Sequence, residues 1–112
     1  MVREIVFFEN HFIDFYSKQP NKVKGKIQFV LDLISQVDRI PEKFFKHLTG
    51  FKGLYEIRVD YQSNIYRIFC FFDKGKLVIL LNGYQKKTNK TSKSEIEKAV
   101  KLMNKYFENE KK

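Results

Sequence analysis

Three consecutive segments in the second half of the chain have the residue pattern of β-strands, and they limit the fold more than any other feature. Residues 54–61 alternate, with tyrosine, isoleucine and valine facing one way and charged residues facing the other. Residues 65–72 are apolar on both faces except at Arg67, which predicts a central strand. Residues 73–75 read Asp-Lys-Gly, a hairpin turn signal, and residues 76–81 form a third strand. This pattern predicts an antiparallel meander.

The first half of the chain has helical periodicity after a short apolar strand at residues 5–8. Asn10 can cap a short helix that ends near Ser17. Pro20 suits the first position of a second helix, where its missing N–H costs nothing. The apolar residues of this second helix recur every three or four positions, which predicts one buried face. They are Val23, Ile27, Val30, Leu31 and Ile34.

A last helix begins at a capping box, Ser92 with Glu95. Its predicted buried residues are Ile96, Ala99, Val100, Met103 and Phe107. The order of elements is therefore β-α-α-β-β-β-α, an α+β fold with an antiparallel sheet and helices packed mainly on one face. At 112 residues the chain suits a single domain, residues 1–112.

The charge of the chain is strongly basic and unevenly distributed. Lys and Arg number 22 against 13 Asp and Glu, a net charge of +9, and residues 46–93 hold ten of the basic residues but only three of the acids. Residues 84–93 carry four lysines and no acid, between a core strand and a helix start. Cations anchored in this way suit the binding of a phosphodiester, which is typical of nucleic-acid-binding proteins. The alternative is a solvated lysine surface.

Several classes of protein do not fit the sequence. Cys70 is the only cysteine, so the chain has no internal disulfide and cannot build a zinc site from one cysteine and two histidines. No cluster of acids suggests a two-metal nuclease, and we expect neither a metal nor a cofactor. The N-terminus lacks a signal-peptide core and no apolar run could span a membrane. We therefore expect a cytoplasmic protein without membrane contact.

Candidates for chemistry lie on the predicted strands and directly after them. Arg67 must be paired, either with an acid such as Glu56 on the neighbouring strand or, if it emerges in a groove, with a bound anion. Glu56 and Arg58 lie on the same strand face, which is either an ordinary polar face or the floor of a site. Lys86 and Lys87 follow the third strand, so these cations could converge on one patch.

A patch of this composition could support metal-free RNA cleavage, in which the ribose 2′-OH attacks the adjacent phosphorus. The reaction needs a base, cations to stabilise the phosphorane, and an acid for the leaving 5′-oxygen. Neighbouring cations depress the pKa of a lysine, which can then act as the base, whereas Arg58 and Arg67 can only stabilise charge. Glu56 is an alternative base, and Tyr84 could orient a base or stack on a nucleotide. The role of His47 stays open.

Three stretches of sequence then resemble a known family: G-L-Y-E-I-R at residues 53–58, Y-R-I-F at residues 66–69 and L-L-N-G-Y-Q-K-K-T at residues 80–88. Together they resemble the HigB-type, phage-derived branch of the RelE/ParE toxin superfamily. The resemblance implies a RelE-like fold and a toxin of a type II toxin–antitoxin pair, many of which cut mRNA in the ribosomal A site. Where this chain has Glu56, the RelE pattern favours a basic residue.

The resemblance implies a ribosome-dependent mRNA endonuclease. By motif, the resemblance places functional cations at Arg58, Arg67 and Lys86, and the residues themselves add Glu56 and Tyr84 as catalytic candidates. The residues predicted to bind RNA are Lys46, Lys52, Lys87, Lys90 and Lys93. Two alternatives stay open: a non-enzymatic ParE-like toxin that inhibits gyrase, and a basic nucleic-acid-binding module without toxicity.

The expected partners are the ribosome, mRNA and a cognate antitoxin of the helix-turn-helix type, held with the toxin in a hetero-oligomer. A net charge of +9 favours an inhibitor that is acidic or has an acidic segment. The inhibitor would either cover the cationic patch or dock away from it, on exposed apolar sides of the N-terminal helices at Phe12, Phe15 and Tyr16.

Overall fold

The computed structural model describes residues 1–111 of the chain. In chain order the elements are β1 (Glu4–Phe7), α1 (His11–Ser17), α2 (Asn21–Gln36), β2 (Phe45–His47), β3 (Tyr55–Tyr61), β4 (Asn64–Asp73), β5 (Leu77–Lys86) and α3 (Lys93–Glu110). The fold class is α+β, as predicted. The short strand β2 is an addition, because no strand was predicted between α2 and β3.

The five strands form one sheet in the order β1-β5-β4-β3-β2. Antiparallel pairing joins β2 to β3, β3 to β4 and β4 to β5, so the predicted meander is confirmed. The prediction of a wholly antiparallel sheet is wrong at β1, which runs parallel to β5 with Ile5 opposite Val78. This pairing joins the first strand to the last one, so local sequence patterns do not determine it.

The helices cover both faces of the sheet. α1 and α2 lie on one face, where Ile27 and Ile34 pack with Ile68 and Cys70. α3 lies on the other face, where Ala99 packs with strand residues that include Phe69 and Phe71. Two of the three helices therefore share one face, as predicted, and α3 alone covers the other face. The physical reason is that β4 is apolar on both sides, and each side must be removed from water.

The apolar side of α1 faces the core, so the predicted exposure of this side is wrong at Phe12. Phe12 is 2% exposed, and Phe15 and Tyr16 are half-buried against the same core. The close approach depends on Gly83 in β5, since a Cβ built there would lie 2.6 Å from Cδ2 of Phe15. None of the helices within residues 1–111 is long and apolar enough to cross a membrane.

Helix α3 begins at Ser92, but only half of the predicted capping box forms. The Ser92 Oγ accepts a hydrogen bond of 3.4 Å from the Glu95 N–H. The Glu95 carboxylate instead accepts from Asn82 Nδ2 at 3.0 Å, and the Ser92 N–H donates to the Tyr84 hydroxyl at 3.0 Å. The first turn of α3 is thereby tied to the end of β5. Farther along α3, Phe107 is 40% exposed rather than buried.

Candidate functional site

The five residues predicted to be catalytic lie on one face of the sheet, the face that α3 packs against. Arg58 on β3 lies opposite Arg67 on β4, which in turn lies opposite Tyr84 on β5. Because side chains on a strand alternate, Glu56 shares this face with Arg58, and Lys86 shares it with Tyr84. The structure therefore brings the predicted residues together across three neighbouring strands.

A buried carboxylate and two guanidinium groups form the centre of this face. Glu56 is 6% exposed and Arg67 is 4% exposed. The Glu56 Oε1 lies 3.7 Å from Nε of Arg58 and 3.8 Å from Nε of Arg67, too far for hydrogen bonds. Within residues 1–111 these two Nε atoms and the Glu56 Oε2 are buried without a hydrogen-bond partner. Charge attraction alone joins the three groups, which leaves unused hydrogen-bonding capacity at the centre of the face.

Arg67 is held by ion pairs, the first of the two alternatives that its sequence context allowed. Besides the contact with Glu56, its Nη1 donates to Oδ1 of Asp60 at 3.3 Å and to the carbonyl of Tyr66 at 2.9 Å. Sequence reasoning missed the Asp60 contact. The alternation placed Asp60 on the correct face, but only the register between β3 and β4 shows that it reaches Arg67.

Lys86 and Tyr84 lie at the end of β5 beside the arginines. Burial lowers the pKa of Lys86, and the positive charge of Arg67 lowers that pKa further. Lys86 thus gives up its proton more readily than a free lysine. Burial raises the pKa of the Tyr84 hydroxyl, which therefore stays protonated. The Tyr84 ring stacks on that of Phe69, with centroids 5.9 Å apart, and its hydroxyl accepts from the Ser92 N–H. This tyrosine is therefore suited to holding the end of β5 against the start of α3.

The lysines predicted to bind RNA surround this face at the surface. Lys87 and Lys90 are exposed in the loop after β5, and Lys93 is the exposed first residue of α3. Lys46 lies on β2 opposite Glu56, and its Nζ is 3.8 Å from the Glu42 carboxylate. Lys52 is exposed in the loop between β2 and β3.

A cleft of about 290 Å³ separates β2 and the loop after it from the start of α3. It is lined by Lys46, His47, Leu48, Thr49, Phe51, Glu56, Thr91 and Ile96. The buried carboxylate therefore borders a space large enough for part of a ligand. Thr49, Phe51 and Thr91 were not predicted, because their approach depends on how two distant loops fold together.

The described residues do not form an obvious metal centre. Within residues 1–111 no group of three or more histidine, cysteine, aspartate or glutamate side chains is arranged to hold a metal ion. Cys70 is fully buried in the core, as predicted, and burial raises the pKa of its thiol. The chemistry available on the site face is that of cations, one buried carboxylate and a tyrosine hydroxyl.

One solved structure similar to this chain is the archaeal RelE–RelB complex from Pyrococcus horikoshii OT3. The match has a TM-score of 0.54 and 20% sequence identity, and it covers 74% of this chain and 93% of that chain. At this level of identity the likeness shows the fold, so the RelE-like fold predicted from the sequence is confirmed. No curated protein sequence matches the chain. The family described as "Phage derived protein Gp49-like (DUF891)" matches residues 14–104. Since these residues make up most of the chain, the protein belongs to the phage-derived Gp49-like family.

Proposed function

We propose that this protein is the toxin of a type II toxin–antitoxin system, of the HigB type, and that it cleaves mRNA on the ribosome. The observation that carries the proposal is the convergence of Arg58, Arg67 and Lys86 around the buried Glu56 on one face of a RelE-like sheet. Fixed cations beside a lysine of lowered pKa are what RNA transesterification requires.

Lys86 is the proposed general base. In its neutral form its amine takes the proton of the ribose 2′-OH, and the 2′-oxygen attacks the adjacent phosphorus. The bond from phosphorus to the 5′-oxygen breaks, which leaves a 2′,3′-cyclic phosphate on one fragment and a 5′-hydroxyl on the other. A protonated loop lysine, Lys87 or Lys90, supplies the proton that the 5′-oxygen takes up. The pKa of Lys86, lowered by burial and by Arg67, supports this assignment.

The two arginines have different roles in this proposal. Arg58 is partly exposed, with 29% of its side chain accessible, and it contacts the phosphate and stabilises the phosphorane charge. Arg67, its buried neighbour on β4, acts as a positioning residue through its positive field on Lys86. Glu56 holds both guanidinium groups in place rather than transferring a proton, since only 6% of it is exposed.

The surface lysines bind the RNA backbone, and the antitoxin binds the same cationic surface. Lys46, Lys52, Lys87, Lys90 and Lys93 contact phosphates of mRNA or of the ribosome in the cytoplasm. The similar fold in the complex of RelE with RelB supports an antitoxin partner for this chain. We propose that this antitoxin is of the helix-turn-helix type and forms a hetero-oligomer with the toxin. An acidic segment of the antitoxin would cover the cationic face.

The test is expression of the protein without its antitoxin, followed by primer extension on cellular mRNA. We expect cleavage within codons and growth arrest. Lys86→Met should lower the cleavage rate by about 10²- to 10⁴-fold, the typical contribution of general acid–base catalysis. Lys76→Met is the matched control, because Lys76 is exposed and precedes the opposite end of β5. If Lys86→Met folds and still cleaves at the full rate, Lys86 is not the base.

The burial of Arg67 is equally compatible with a second candidate, a toxin that inhibits gyrase and cuts no RNA. A guanidinium that is 4% exposed and bonded to Asp60 does not contact a phosphate in this conformation. The same expression experiment separates the two functions. Intact mRNA together with DNA damage would support gyrase inhibition and contradict the nuclease.

A further inference from the structure

Two phenylalanine rings lie at the surface beside the end of β3, where β2 no longer covers the sheet edge. Phe29 on α2 is 53% exposed, the most exposed phenylalanine among those in the described residues, and Phe44 is half-buried next to it. Their ring centroids are 6.3 Å apart with an interplanar angle of 71°. Contiguous apolar groups exposed at a protein surface can form a binding site.

Two lysines hold their ammonium groups over these rings. The Lys26 Nζ lies 5.2 Å from the centroid of Phe29 and 6.0 Å from that of Phe44, and the Lys43 Nζ lies 5.0 Å from that of Phe44. We call Phe29, Phe44, Lys26 and Lys43 the aromatic shelf. An exposed aromatic ring with ammonium groups beside it matches the two parts of a nucleotide, since the base stacks on the ring and the phosphate pairs with ammonium.

The aromatic shelf adjoins the candidate site. Lys26, Lys43 and Phe44 line a cavity of about 190 Å³ together with Arg58 and Asp60. The backbone also connects the two, because the Arg58 N–H donates to the Phe44 carbonyl at 2.8 Å. An RNA strand that contacts Arg58 therefore lies next to the shelf.

The charge of the cavity lining favours RNA over an apolar protein segment as the occupant. Three cations and one acid line it. An apolar segment would cover the ammonium groups without pairing them, which is costly, whereas RNA supplies a phosphate for each.

We propose that the aromatic shelf is a second RNA subsite, which stacks an unpaired base of single-stranded RNA and binds the flanking phosphates through Lys26 and Lys43. This proposal rests on the proposed function in that the bound strand is the substrate at Arg58. When the base arrives, it displaces an ammonium group from a ring face, and that group pairs with the neighbouring phosphate. The subsite extends the contact with RNA beyond the reacting nucleotide.

The test measures binding of the full chain to a short, fluorescently labelled 2′-O-methyl oligoribonucleotide, which cannot be cleaved because its 2′-oxygens are blocked. Phe29→Ala should weaken binding by about five- to 150-fold, the usual effect of removing one stacking aromatic. Phe29→Tyr should bind as the unsubstituted protein does. Phe29→Leu keeps apolar bulk for folding but should lose affinity like the alanine variant. The matched control is Phe7→Ala, because Phe7 is 45% exposed on the opposite edge strand β1.

Salt dependence separates stacking from charge. Lys43→Ala should reduce the slope of log affinity against log salt by about 0.7, the value for one phosphate contact with a single strand. Phe29→Ala should leave that slope unchanged. Equal RNA affinities for Phe29→Leu and Phe7→Ala would overturn the proposal, and so would the absence of RNA binding by the unsubstituted chain. Either result overturns it even if the same substitutions weaken the binding of a protein partner. Because this probe cannot be cut, the result is independent of the Lys86→Met cleavage test, and either proposal can fail alone.

Discussion

The contact between Gly83 and the ring of Phe15 gives a prediction about stability that depends on geometry alone. A Cβ at residue 83 would lie 2.6 Å from Cδ2 of Phe15 and 3.0 Å from its Cε2 and Cγ. Carbon atoms in contact are normally about 3.5–4.0 Å apart, so in Gly83→Ala the ring must move by about 1 Å. The Phe15 ring is restrained by the ring of Tyr66 in the core, since the centroids of the two rings are 6.3 Å apart. We therefore expect Gly83→Ala to be destabilising.

The size of the effect follows from two opposing contributions. Overpacking a core by one methyl group typically costs about 1–3 kcal/mol. Replacing glycine by alanine also restricts the unfolded chain, which stabilises the protein by about 0.4–1 kcal/mol. The expected net loss is about 1–2 kcal/mol in the free energy of unfolding. That corresponds to a roughly five- to 30-fold change in the ratio of folded to unfolded protein.

Urea unfolding followed by circular dichroism measures this loss, with two comparisons that identify its cause. Gly25→Ala in α2 is the matched control, because within residues 1–111 a Cβ built there has no heavy atom within 4 Å apart from its chain neighbours and the backbone of its own helix. It should stabilise the protein by about 0.5–1 kcal/mol, since alanine suits a helix interior better than glycine. In a Phe15→Ala background, Gly83→Ala should no longer be destabilising, because the ring it would meet is gone.

The steric explanation is refuted if Gly83→Ala unfolds at the same urea concentration as the unsubstituted protein or at a higher one. It is also refuted if the loss is equally large with and without the Phe15 ring. In that case the backbone of β5, and not the ring, would require the glycine.

Three further predictions concern the site face. Arg58→Gln should move the rising limb of the cleavage rate against pH to higher pH, because removal of this cation lets the lowered pKa of Lys86 rise. Arg67→Ala should reduce the free energy of unfolding by about 3 kcal/mol in urea, since it leaves Glu56 buried with a weaker partner. The double variant Arg67→Ala/Glu56→Ala should lose less free energy of unfolding than the sum of the two single changes. Ser92→Ala should cost about 1 kcal/mol in the same measurement, because it removes the cap of α3.

Each of these three has an outcome that contradicts it. An unchanged pH profile in Arg58→Gln would mean that Lys86 is not the titrating base. Strict additivity of the Arg67 and Glu56 changes would show that the two charges do not interact. A fully stable Ser92→Ala would mean that the hydrogen bond to the first turn contributes nothing.

Local patterns were sufficient for much of the fold. The alternation in β3 correctly placed Ile57 and Val59 on the face opposite Glu56 and Arg58, because successive side chains on a strand point to opposite sides. The start of α3 could also be predicted, because the Ser92 cap lies within one turn of the helix that it caps. Patterns of this kind involve residues only a few positions apart.

Pairing between distant segments was decided by the tertiary structure. The alternation of side chains shows which residues share a face of the sheet, but it does not show which helix covers that face, so the position of α3 on the second face was not predicted. Nor does it show the register between strands, on which the contact of Arg67 with Asp60 depends. The aromatic shelf joins Phe29 of α2 to Phe44 before β2, two residues with no shared periodicity. The sequence by itself determined the three helices, four of the five strands and the cationic composition. Only the packing of remote segments decided which side chains meet, because separation in space does not follow from separation along the chain.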